Sequence, residues 1–173
     1  MLQKVVEGNL IFEFPDNWRV SKYDEWTYYR KHFQKLLQGQ KAIDIIAVEP
    51  NNQCVWLIEV KDYRANRRLK PSDLINEVVQ KVLDTLAGLW GAKINARIPF
   101  EKQLAIVAAK SQQLRVVLHL EQPLKYSKLF PQVIDSANAQ GKLRKMLRAI
   151  DPHAKIFSQH NTPKYLWRVR IDK

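Results

Sequence analysis

Residues 41–61 read Lys41-Ala-Ile-Asp-Ile-Ile-Ala-Val-Glu-Pro-Asn-Asn-Gln-Cys-Val-Trp-Leu-Ile-Glu-Val-Lys61. Two β-rich runs flank Asn51-Asn52, a pair that tolerates the positive φ of a tight hairpin turn. With these two residues as the turn, Pro50 faces Gln53, Val48 faces Val55, Ile46 faces Leu57 and Asp44 lies opposite Glu59. Lys61, two residues beyond Glu59, points to the same face. Three ionisable side chains therefore converge on one patch of an otherwise apolar hairpin. The other face carries Ile43, Ile45, Ala47, Trp56, Ile58 and Val60 and reads as a core face. Carboxylates are rarely buried unpaired in central strands, and two side by side raise one another's pKa. A divalent cation such as Mg²⁺, which takes hard oxygen ligands and keeps several waters, would relieve that conflict.

Outward from the hairpin, the pattern alternates strands and helices. Asn9–Phe14 alternates like a strand up to Pro15, and Trp18–Val20 is expected to fold back on it as a hairpin. Trp26, Tyr29, Phe33 and Leu36/Leu37 recur at helical spacing after Asp24 and Glu25, with Gly39 as a stop. Asp62–Lys70 is a basic loop. Pro71-Ser72-Asp73 opens a long helix, with Ser72 expected as its N-cap and Gly91 as its stop. The apolar run Gln103–Ala109 reads as a strand buried on both faces, and Leu114–Leu120 as another. A helix is expected between about Pro131 and Ile150. Ala154–Phe157 and Tyr165–Ile171 look like a closing pair of strands. The whole predicts an α/β fold, a central mixed β-sheet flanked by helices in one domain. Residues 1–23 would form an N-terminal β-hairpin extension, 24–109 the core, and 110–173 a basic C-terminal part of the same domain.

The 173 residues carry 29 Lys and Arg against 17 Asp and Glu, a net charge of +12. From Ser111 onward the net is +8, so the excess is concentrated in the C-terminal third. Such a chain attracts polyanions, nucleic acid first. No apolar run approaches the ~18 residues of a membrane span, and no secretory signal follows Met1. The lone Cys54 excludes an internal disulfide framework and a Cys-cluster zinc site and suits a reducing, cytoplasmic setting. His32, His119, His153 and His160 show no ligand spacing. Gly-rich phosphate loops and a Gly-x-Ser-x-Gly elbow are both lacking.

Asp44, a hairpin, then Glu59-Val60-Lys61 resembles the PD-(D/E)XK nuclease superfamily, the restriction-endonuclease-like fold. The order helix, Asp-bearing strand, Glu-x-Lys strand, helix, strand is similar too, over roughly Asp24 to Ala109. Ile43 stands where the motif has proline. The resemblance implies a Mg²⁺- or Mn²⁺-dependent endonuclease, with DNA favoured over RNA as the substrate. Asp44, Glu59 and the Val60 carbonyl would hold the metal, and Lys61 would stand beside the attacking water. Glu25 is the best-placed first-helix acid, though a carboxylate serving the helix dipole reads equally simply. Gln80 matches a glutamine some members place after the lysine strand, but a solvent-facing helical residue is the simpler reading. Arg64, Arg67, Arg68 and Lys70 would contact the phosphate backbone. Double-strand cutting would call for a homodimer. Two rivals stand beside this reading: a catalytically inert nucleic-acid-binding module, alone or in a larger complex, and a protein whose charge serves an acidic partner.

Overall fold

The computed structural model describes residues 2–37, 39–64, 73–123 and 134–172. Its organising element is the hairpin of β4 (Ile45–Val48) and β5 (Cys54–Asp62), antiparallel with Ile46 opposite Leu57 and Val48 opposite Val55. The register is the one predicted. The chain turns through Pro50–Asn52 with Asn51 at φ 57°, and the Glu49 amide donates to the Cys54 carbonyl at 2.9 Å. Asp44 stands one residue before β4, so it meets β5 through its side chain rather than as a ladder partner.

Around this hairpin a mixed five-stranded sheet runs β3-β4-β5-β6-β7. β3 (Arg19–Lys22) pairs antiparallel with β4, while β6 (Gln113–Glu121) and β7 (Lys155–Phe157) continue in parallel from β5. A parallel neighbour needs a long crossover. Here it contains α2 (Leu74–Asn95) and α3 (Pro99–Ala109), between β5 and β6. Two further helices, α1 (Thr27–Lys31) and α4 (Ser136–Met146), complete the α-helices of the described residues. A second, antiparallel sheet is formed by β1 (Gln3–Glu7), β2 (Leu10–Phe14) and β8 (Arg168–Ile171) in the order β1-β2-β8.

The main sheet is apolar on both faces because both are covered. Ile46, Val48, Val55 and Leu57 pack towards the helices with Val78, Val82, Leu89 and Leu104. Ile45, Ala47, Trp56 and Ile58 pack towards the small sheet with Phe12, Phe14, Trp18 and Trp167. Each fully buried Val, Leu, Ile or Phe among them contributes roughly 1.5–3 kcal/mol, and the hairpin supplies such residues to both cores. Ile43, expected with the second set, sits in the helix-side core, because the extended pleat begins only at Ile45.

Several expectations are corrected. Gln103–Ala109 belongs to helix α3: its buried Leu104, Ala105, Val107 and Ala108 follow helical spacing, and Pro99 stands in the first turn, where its missing N–H costs nothing. The helix expected from Asp24 to Leu37 is broken into a 3₁₀ turn, the five-residue α1 and a second 3₁₀ turn. Strand β2 pairs with β1 and β8, and β3 joins the main sheet instead of folding back on β2. β7 and β8 lie in different sheets rather than forming a closing pair. Helix α2 runs through Gly91, where a Cβ would stand 2.4 Å from the Tyr28 hydroxyl, so the glycine serves a close approach rather than a stop. Asp73 caps α2, its carboxylate accepting from the Ile75 amide at 3.0 Å. Ser72, the expected cap, lies outside the described residues.

Candidate functional site

Helix α2 positions the segment that carries Asp44. The Lys41 amide donates to Asp84 Oδ2 at 2.8 Å and the Ile43 amide to Thr85 Oγ1 at 3.1 Å. Both acceptors are buried on α2, so the approach to β4 is fastened to the helix just before Asp44. The Asp44 carbonyl accepts from the Tyr23 amide at 2.9 Å, and Asp44 Oδ2 accepts from the Val60 amide at 2.7 Å. Asp44 is thus held by backbone donors from both sides and is 8% exposed.

Glu59 is 1% exposed on the same face. Its Oε1 lies 2.7 Å from Lys61 Nζ and 2.6 Å from Lys81 Nζ, and Lys81 also lies 3.6 Å from Asp44 Oδ1. The three residues predicted from the hairpin come together as expected, and a fourth, Lys81 of α2, bridges both carboxylates. Lys81 follows Val78 of the buried stripe by three positions, so a lysine at the margin of an apolar helix face was its sequence signal. Burial pushes the Glu59 carboxyl up to about 7, and the neighbouring Asp44 pushes the same way against the two ammonium groups. Burial alone would lower Lys81, but Glu59 and Asp44 outweigh it and raise its pKa.

In this arrangement the carboxylates face ammonium groups, while Glu59 Oε2 is buried without a hydrogen-bond partner among the described residues. Asp44 Oδ2 is taken by an amide, and Glu59 Oε1 is shared by two lysines. Among the described residues no three His, Cys, Asp or Glu side chains gather in a metal-holding group. The conflict between buried carboxylates is settled by two lysines, which the hairpin pattern showed only in half.

The acid that joins this patch from the first helical segment is Asp24, not Glu25. Asp24, Asp44 and Lys81 line a cleft of about 430 Å³ together with Tyr29, Arg30 and Lys41. Burial, then Asp44, pushes the Asp24 carboxyl up to about 6. Glu25 is half exposed and pairs with Lys22 at 3.0 Å. Gln80 is exposed and donates to Asp84 Oδ1 at 2.8 Å, away from Glu59. Arg64 forms a bidentate pair with Asp62, its Nε 2.9 Å from Oδ1 and its Nη2 2.6 Å from Oδ2. Arg67, Arg68 and Lys70 lie outside the described residues.

No family model matches the chain, and no solved structure matches it. A curated protein does. The chain is similar to the cysteine–tRNA ligase of Neisseria meningitidis serogroup A. Identity is 34% over 165 aligned residues, taking in 78% of this chain and 23% of the ligase. The chain therefore spans about a quarter of the length of the curated relative it matches. This finding overturns the reading as a metal-dependent endonuclease or other phosphodiester hydrolase, because the relative is a tRNA ligase. No helix of the described residues is long and apolar enough to cross a membrane.

Proposed function

We propose that this chain is a tRNA-binding module related to one part of a cysteine–tRNA ligase. The observation that carries the reading is the 34% identity across most of the chain to a segment of that enzyme. A net charge of +12 supports it, since a surface of this sign binds phosphate backbone and makes binding salt-dependent. The expected partner is tRNA, where the sequence had suggested DNA. Asp44, Glu59, Lys61 and Lys81 serve here as a buried ion-pair network that fixes β4 and β5 against α2.

We infer further that the scaffold is of the restriction-endonuclease-like kind. Antiparallel β3-β4-β5 followed by a helical crossover to parallel β6, with Asp44 before one strand and Glu59-x-Lys61 on the next, supports this. Fold does not carry activity with it.

Fluorescence anisotropy of labelled tRNA tests the function. Binding is expected at low salt, weakening about 100-fold between 50 and 200 mM salt if some four phosphates are neutralised. Lack of binding at about 10 µM protein in low salt, where even non-specific complexes begin to form, would overturn the proposal.

A further inference from the structure

Helix α2 carries two apolar stripes, and the fold uses one. Val78, Val82, Leu89 and Ala92 are buried in the helix-side core. Leu83, Trp90 and Ile94 stand exposed on another side, and the exposed stretch continues through Ile98 to Phe100 at the start of α3. Trp90 is 61% exposed and Phe100 56%, whereas Trp18, Trp26, Trp56 and Trp167 are all buried. Exposing an indole in this way is costly unless a partner covers it.

The charge at this corner indicates the partner. Lys93, Arg97 and Lys102 interleave with the apolar residues. The acid within the corner, Glu101, is buried and already used: its two carboxylate oxygens accept from the Thr27 and Tyr28 amides at 2.7 and 3.0 Å, capping α1. Lys93 Nζ sits 3.9 Å from the centre of the Trp90 ring, and Lys102 Nζ donates to the Ile94 carbonyl at 3.0 Å. Neither lysine is neutralised by an acid among the described residues. Arg97 and Lys102 also line a groove of about 610 Å³ against Tyr28 and His32 of the first helical segment. Protein-binding patches are depleted of charge at their centre. Here Lys93 lies over the Trp90 ring and two further cations line the groove beside Ile94, and cations with exposed aromatic rings are the combination that binds unpaired nucleotides by stacking and phosphate neutralisation.

We propose that the corner between α2 and α3 is a platform for unpaired nucleotides of RNA. Trp90 and Phe100 stack bases, and Lys93, Arg97 and Lys102 take the flanking phosphates. Lys93 exchanges its place over the indole for a phosphate when a base arrives. This rests on the reading of the chain as an RNA-binding module and names the surface that does the binding.

Trp90 also provides the assay, being the one exposed tryptophan of the five. A 12-nucleotide oligo(U) should quench the solvent-exposed part of the emission in wild type and not in Trp90→Phe. Trp90→Ala and Phe100→Ala should each weaken both oligo(U) and tRNA binding about tenfold, the scale of one lost base stack. Both positions are exposed, and unchanged circular dichroism would confirm folding. Wild-type tRNA affinity in both variants would overturn the platform while leaving tRNA binding intact. Duplex RNA of the same length bound as tightly as oligo(U) would also overturn it, as would loss of self-association in the variants without change in RNA affinity, which would make the face a protein interface. If wild type bound no tRNA, the function proposal would fail. Quenching by oligo(U) would then still support the platform, and its absence would sink both.

Discussion

Replacing Glu59 by Gln should remove a pH dependence of stability that the buried ion-pair network creates. In the folded protein the Glu59 carboxyl titrates near 7 against an ordinary value of 4.5, with burial as the leading cause and Asp44 adding to it. The folded chain therefore holds this proton to a higher pH than the unfolded chain. The stabilisation is complete below about 4.5 and is lost as the pH rises through 7. At about 1.4 kcal/mol per pH unit over most of that window, Glu59 alone should cost wild type about 2.5 kcal/mol between pH 5 and pH 8. Gln keeps the shape and cannot titrate. Asp24, also raised, to about 6, contributes in both proteins and largely cancels in the comparison. Urea unfolding of wild type and Glu59→Gln at pH 5 and pH 8 measures the difference. A fall in wild-type stability that exceeds the variant's by about 2–3 kcal/mol is expected from this linkage. Falls that agree within about 0.5 kcal/mol, the usual limit of additivity, would refute a carboxyl held near neutrality by burial.

Gly88 lies where a Cβ would stand 2.1 Å from the Tyr23 hydroxyl and 3.2 Å from the Phe33 ring. Gly88→Ala should therefore cost about 1–3 kcal/mol by overpacking. Tyr23 is fully buried and its hydroxyl has no partner among the described residues. Tyr23→Phe alone should be neutral or slightly stabilising, and it should restore part of the loss in Gly88→Ala, as denaturation of the double variant would show. Because lysines and an amide engage three of the four carboxylate oxygens, calorimetry with Mg²⁺ or Mn²⁺ should give the same heats for wild type and Asp44→Asn. A metal bound by wild type and lost in the variant would count against the ion-pair account of this patch.

The hairpin was legible because strand alternation and a two-Asn turn fix register locally. Ile46–Leu57 and Val48–Val55 pair as read, and Glu59 and Lys61 meet as read. What the pattern could not supply was the third dimension. Lys81 is 20 residues beyond Lys61 and reaches Glu59 only because α2 packs across the sheet. Without it, the same two carboxylates ask for a cation, and a metal is the natural answer. Gln103–Ala109 was misread because a short apolar run has no decisive period of its own. Pro99, at the first turn, marked the helix start that settles it. The helix from Asp24 breaks up because its contacts come from elsewhere: Glu101 holds the Thr27 and Tyr28 amides, and Gly88 and Gly91 admit the rings of Tyr23 and Tyr28. Trp90 and Phe100 were invisible as a surface for a related reason. On a helix, an apolar residue reads as core until the packing shows which stripe is covered.

The claim that this chain works on tRNA is tested most directly by competition. Labelled tRNA bound to the wild-type protein is challenged with unlabelled tRNA and with a DNA duplex of equal phosphate content at 150 mM salt. The account predicts that tRNA displaces the label at concentrations at least tenfold lower than the duplex, because unpaired nucleotides add base stacking to the phosphate contacts that both polymers share. Displacement by DNA at equal or lower concentration would contradict it.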